Sequence, residues 1–225
     1  MNLEYPYFQV NFKVYPGTGG REGLEFARRI DEVATETGVE FVLTPQIPDI
    51  RLVAEETGLT LTAPAMDAVE AGRGMGKILP ETVAEAGASG VVINHAENRD
   101  TFVDVERKIQ RCREAGLDSI VCVDSLEMGE AVAAFDPDSV IFEKPEDIST
   151  DRAITQTHPH LVEEFVDMMA SENPRTRVLV GGGISTPEDV ALAFEQGADA
   201  TGAASAVSLA EDPESLLREI AAAFP

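Results

Sequence analysis

The chain has 225 residues, 44% hydrophobic and 26% charged, a globular composition with ample material for a core. Its 41 acids against 17 cations give a net charge of −24, well beyond the magnitude of about 2–8 usual for a small domain. No basic stripe is present to neutralise a phosphodiester backbone and no apolar run approaches a membrane span, so neither nucleic acid nor a bilayer is an expected partner.

The acids are spread over the predicted helices, as in "DEVATETGVE" and "EEFVDMMASE", the pattern of a solvated surface suited to high salt. Only four lysines occur: Lys13, Lys77, Lys108 and Lys144. Cys112 and Cys122 have no CxxC or zinc spacing and read as buried, reduced thiols. The N-terminus lacks the features of a signal peptide, so a cytoplasmic protein is expected.

In chain order, short β-branched runs alternate with amphipathic segments. "FQVNF" precedes a helix over Glu22–Thr37, "EFVLT" one over Pro48–Thr57, and "LTLTA" one over Leu79–Ala86. "GVVIN" leads to Thr101–Ala115, "SIVCV" to Leu126–Phe135, and "SVIFE" to Pro159–Ala170. "RVLVG" leads to Pro187–Gln196 and "ADATG" to Pro213–Ala223. Ser185 or Thr186, and again Asp212, are placed as N-caps before a proline and acids. Gly38, Gly58, Gly87, Gly116 and Gly197 read as left-handed helix ends.

Nearly continuous apolar strands, each followed by a helix, mark a parallel sheet. Eight units in 225 residues are about 28 residues each, close to the smallest βαβ step. Eight in succession without a long linker predict a closed (β/α)8 barrel spanning 1–225 as a single domain. The glycines of "VYPGTGGREG" after the first strand fit a doubly wound sheet less well, because their spacing is not G-x-G-x-x-G.

In such a barrel the C-terminal strand ends meet at one mouth. The first strand delivers Asn11 and Lys13, two residues apart and so on the same side, and the fourth delivers His95. The sixth ends at Glu143, ahead of "KPEDIST". The seventh runs into "GGGIST" and the eighth into "TGAASA", loops whose backbone N–H groups suit a phosphate. Singly, each has a plainer reading: a surface lysine, a structural histidine, a turn acid, a tight turn. Their convergence from five places on one mouth favours a site. His158 and His160, in "THPH", read as capping or surface residues at a helix start.

"NFK", "NHAENR", "EKPEDIST" and "GGGIST", in this order along the whole chain, resemble triosephosphate isomerase of the short archaeal type. The resemblance implies Glu143 as base, His95 as neutral electrophile, and Asn11 and Lys13 as catalytic and substrate-binding residues. It further implies backbone phosphate donors at Ile148, Gly183, Ala204 and Ser205, no cofactor, no metal, and a homo-oligomer, dimer or tetramer. In the family the loop after the third strand reaches into a neighbouring subunit; here that loop is Met66 to Lys77, with two methionines to fill a partner's pocket. This sequence departs from the family's lid at Ser149, where glycine is usual, at Lys144, where a second proline is common, and at Ala206 in the last cradle. Other expectations stay open: another phosphate-binding barrel enzyme, such as a phosphoribosyl isomerase or a thiamin-phosphate type enzyme, or a catalytically silent phosphosugar-binding barrel.

Overall fold

The computed structural model describes residues 1–148, 150 and 152–225. Eight parallel strands pair in chain order and close on themselves: β1 (Tyr7–Asn11), β2 (Glu40–Thr44), β3 (Thr60–Ala63), β4 (Ala88–Ile93), β5 (Asp118–Val123), β6 (Ser139–Phe142), β7 (Arg177–Val180) and β8 (Ala200–Ala203). Closure runs through β1 and β8, with Phe8 opposite Thr201 and Val10 opposite Ala203.

Strand alternation sorts the side chains into two layers. Tyr7, Val42, Val92, Ile120, Cys122, Ile141, Leu179 and Ala200 fill the barrel. Their neighbours, among them Phe8, Val10, Leu43, Val91 and Phe142, face outward and pack against the helices. Phe142 stacks on Phe165 with ring centroids 4.1 Å apart. The same parity extends past the strand ends. Gln9, Asn11 and Lys13 follow Tyr7 into the lumen, and Glu143 follows Ile141.

The outer layer is α1 (Gly20–Thr37), α2 (Ile50–Glu56), α3 (Pro80–Glu85), α4 (Phe102–Ala115), α5 (Leu126–Ala133), α6 (Ile154–Thr157), α7 (Pro159–Glu172), α8 (Pro187–Glu195), α9 (Ser205–Ser208) and α10 (Pro213–Ala221). Thr186 caps α8 in a reciprocal box with Asp189, and Asp212 caps α10 by accepting the Ser215 N–H. Gly38 and Gly116 end α1 and α4 in the left-handed conformation at φ 72°.

Gly58 does not end its helix this way. α2 stops at Thr57 in extended backbone, and the Gly58 N–H is instead held by Asp31 Oδ2 at 3.0 Å. Two short helices, α6 and α9, were not expected; each is a single turn of four residues, below the length at which periodicity shows. Both cysteines are free and buried. Among the described residues no helix is long and apolar enough to cross a membrane.

Candidate active site

β1 ends by turning sharply. Lys13 has φ 44°, in the left-handed region where a non-glycine residue stores strain of roughly 1–3 kcal/mol. Its N–H donates to Asn11 Oδ1 at 2.9 Å, so Asn11 stabilises the turn that sends the lysine inward. Lys13 Nζ reaches Glu97 Oε1 at 2.7 Å. Burial pushes the Glu97 carboxyl up, but the Lys13 hydrogen bond and charge outweigh this and hold it below its usual range.

Just beyond β4, His95 Nδ1 accepts the Glu97 backbone N–H at 3.1 Å, and the His95 carbonyl accepts the Asn98 N–H at 2.8 Å. An accepting Nδ1 carries no proton, so the neutral ring bears its hydrogen on Nε2. Burial lowers the pKa of His95, and the Lys13 charge lowers it further. The ring is therefore a neutral donor at physiological pH.

Glu143 is 8% exposed and lies directly opposite. Its Oε1 stands 3.6 Å from His95 Nε2, too far for a hydrogen bond, and has no hydrogen-bond partner among the described residues. Burial raises the Glu143 pKa to about 7, against the opposing pull of Lys13 and Arg99. A carboxylate poised near neutrality faces an imidazole fixed as a donor.

The rim beside this pair is backbone. Gly182 and Gly183 have φ of 91° and 72°, and a Cβ on Gly183 would lie 2.0 Å from the Arg152 carbonyl oxygen, so no other residue fits there. Ile148 and Thr150 overhang from the segment after β6, and Ala204 and Ser205 complete the rim at the mouth of β8. No hydrogen bond among the described residues uses the N–H of Ile148, Gly183, Ala204 or Ser205. Asn11, Lys13, His95, Glu143, Ile148, Gly183, Ala204 and Ser205 thus all line one cavity.

Lys144, next to the carboxylate, donates to the Asp124 carbonyl at 2.7 Å, while Arg99 holds the Asp124 carboxylate at 2.6 Å. Ser149 lies outside the described residues. Of the loop methionines, Met66 is 2% exposed and packed in the chain's own core, leaving only Met75, fully exposed, to meet another molecule. His160 is exposed beside Glu163, and His158 stands at the N-cap of α7 without a side-chain cap bond.

Sequence reading did not single out Glu97, although "NHAENR" contains it; its partner Lys13 is 84 positions away. It also passed over Gln9, which lines the cavity floor and donates to Thr44 and Thr62 hydroxyls at 2.8 and 3.3 Å. A polar residue at a lumen-facing position of β1 was the available signal.

A closed eight-stranded barrel with Glu143 facing His95 at the C-terminal ends of its strands has the architecture of a (β/α)8 enzyme. The family model for triosephosphate isomerase matches residues 6–223. A relative of that name from Methanobacterium bryantii is 37% identical over 217 residues, covering 96% of each chain. Another, from Methanopyrus kandleri, is 39% identical over 220 residues, covering 97% of each. The crystal structure of triosephosphate isomerase from Bartonella henselae superposes with a TM-score of 0.68 at 20% identity, covering 88% of this chain and 92% of that one, and so shares the fold. The chain belongs to the triosephosphate isomerase family.

Proposed function

We propose that this chain interconverts dihydroxyacetone phosphate and D-glyceraldehyde 3-phosphate through an enediolate, with Glu143 as the base and His95 as the electrophile. The observation that carries this is the confrontation of Glu143 Oε1 and His95 Nε2 across 3.6 Å, with Lys13 beside both. Glu143 takes a proton from C1 of the ketose while His95 Nε2–H bonds the C2 carbonyl oxygen and stabilises the charge that develops there. Proton exchange between the two enediolate oxygens through His95, followed by return of the proton from Glu143 to C2, gives the aldose. The Lys13 ammonium offsets phosphate and enediolate charge, and Asn11 keeps that lysine aimed inward.

The phosphate is held by the N–H groups of Ile148, Gly183, Ala204 and Ser205. The segment "KPEDIST", from Lys144 to Thr150, acts as the lid that keeps water from an intermediate prone to lose phosphate. The deciding test is turnover of glyceraldehyde 3-phosphate by the wild type and by Glu143→Gln, each in dilute and in molar salt. Fast turnover lost by at least about a thousandfold in the variant is the expected result. Tight phosphoglycolate binding without turnover at any salt would overturn it in favour of a silent phosphosugar binder.

The working form is a cytoplasmic homo-oligomer. A groove lined by Val14, Ile47, Pro48, Pro64 and Ala65 opens beside Asn11, Lys13 and Glu97, and the loop Met66 to Lys77 of a second copy is its occupant. Met75 at full exposure and Val14 at 84% are the apolar anchors that such a contact buries.

A further inference from the structure

Lys108 is the one buried lysine of the four, at 8% exposure, and it takes no part in the chemistry above. A lysine is rarely buried unless paired. Its Nζ meets Asp100 Oδ1 at 2.6 Å. The other Asp100 oxygen accepts the Asn94 N–H at 3.0 Å, and the Asp100 N–H donates back to Asn94 Oδ1 at 3.1 Å. Asn94, 4% exposed, also donates from Nδ2 to the Cys122 carbonyl of β5 at 2.9 Å.

Asn94 has φ 61°. Asparagine tolerates this left-handed conformation better than most residues because its short side chain can hydrogen-bond locally. Here its backbone N–H, Oδ1 and Nδ2 are all hydrogen-bonded. The turn it makes is the step from the end of β4 to His95. Residues 94 and 100 are thereby joined across a closed loop of five residues, with His95 at its head. Within that loop the two contacts that orient the His95 residue, Glu97 N–H to Nδ1 and Asn98 N–H to its carbonyl, depend on the path the joined ends impose.

We infer that Asn94, Asp100 and Lys108 form a buried clamp that aims the His95 ring, and that they are positioning residues for the isomerisation. Among the described residues none of the three lines the site cavity, so they act through the loop that carries His95. The Lys108 ammonium offsets the charge of the Asp100 carboxylate that holds the Asn94 N–H. The inference rests on His95 being the electrophile.

Two variants test it. Lys108→Met removes the charge partner. Asn94→Gly keeps the backbone free to adopt positive φ, strands no buried charge, and deletes only the side-chain half of the clamp. Both should lower kcat by about tenfold or more, since misplacement of a reacting group by about 1 Å can cost a hundredfold, while KM and phosphoglycolate affinity change by less than about twofold.

Nitrogen NMR of the His95 ring supplies a readout that does not need turnover. The chain has three histidines, so His95→Gln assigns the signal. In the wild type an accepting Nδ1 and a protonated Nε2 are expected; in both variants this single-tautomer pattern should broaden or mix. Wild-type kcat in the folded variants, or a kcat loss with the ring spectrum unchanged, overturns the clamp. An inactive wild type would sink the isomerase reading, and the ring spectra would still decide whether the clamp sets the imidazole.

Discussion

Glu143 and His95 reach their working protonation states by the same cause acting on opposite charge types. Burial disfavours whichever form is charged, so it pushes the carboxyl up and the imidazole down. Under the proposed mechanism the Glu143 carboxyl must be ionised to act. kcat/KM should therefore rise with pH through about 7, reporting the free-enzyme carboxyl, and an acid limb centred below 5 would refute this assignment.

Stability should move the other way. A carboxyl whose pKa rises from 4.5 to about 7 on folding binds more protons folded than unfolded between those values. Its contribution is fully present below 4.5 and is lost as pH rises through 7, a difference of roughly 3 kcal/mol. Glu143→Gln escapes that penalty. In urea denaturation it should be more stable than the wild type at pH 8, with the gap closing near pH 4. Equal stabilities at pH 8 would show that the carboxyl is not desolvated.

At the scale of elements, the segment after β6 is bonded at its start through Lys144 and packs at Arg152 against Gly183. Lys144→Met keeps the aliphatic length but drops the bond to the Asp124 carbonyl, and kcat should fall about fivefold, or ~1 kcal/mol, as hydrogen exchange over residues 144–148 speeds up. Gly183→Ala forces a methyl into the Arg152 carbonyl, so KM should rise by at least about tenfold. Unchanged KM in that variant would mean the carbonyl can yield.

The same elements mark what the sequence could and could not convey. All eight strands were readable because each is a short apolar run between a helix stop and a helix start. The place of Glu143 at the mouth followed from its position at the end of "SVIFE". The helices of four residues left no periodic signal, and Gly58 looked like every other helix-ending glycine until Asp31, from α1, claimed its N–H. The eight candidate site residues were readable from strand ends and from the family resemblance. The pairs that orient them were not: Lys13 with Glu97, 84 positions apart, is fixed by three-dimensional closure, and Asn94 with Asp100 by a loop with no regular period.

On the scale of the whole molecule the excess of acids dominates. A net charge of −24 repels itself, and molar salt, with a screening length of about 3 Å, largely removes that repulsion. The melting temperature should climb from dilute to molar potassium chloride; a flat or falling trend would mean the surface ion pairs outweigh the net charge. The same screening favours association of two acidic copies. Sedimentation in molar salt should report an oligomer that Met75→Asp shifts toward monomer, leaving thermal stability at limiting dilution unchanged.

The scarcity of lysine has a consequence for reagents. Lys13 and Lys108 are both nearly covered and held by carboxylates, and Lys144 is partly covered and bonded to a carbonyl. Only Lys77 and the N-terminal amine offer appreciable exposed surface. An amine-directed acylating reagent should therefore tag the folded protein at those two positions and spare the mouth of the barrel. The same mass-spectrometric pattern, watched as the protein is diluted from salt, turns the appearance of a tag on Lys13 or Lys108 into a direct clock for the barrel coming open.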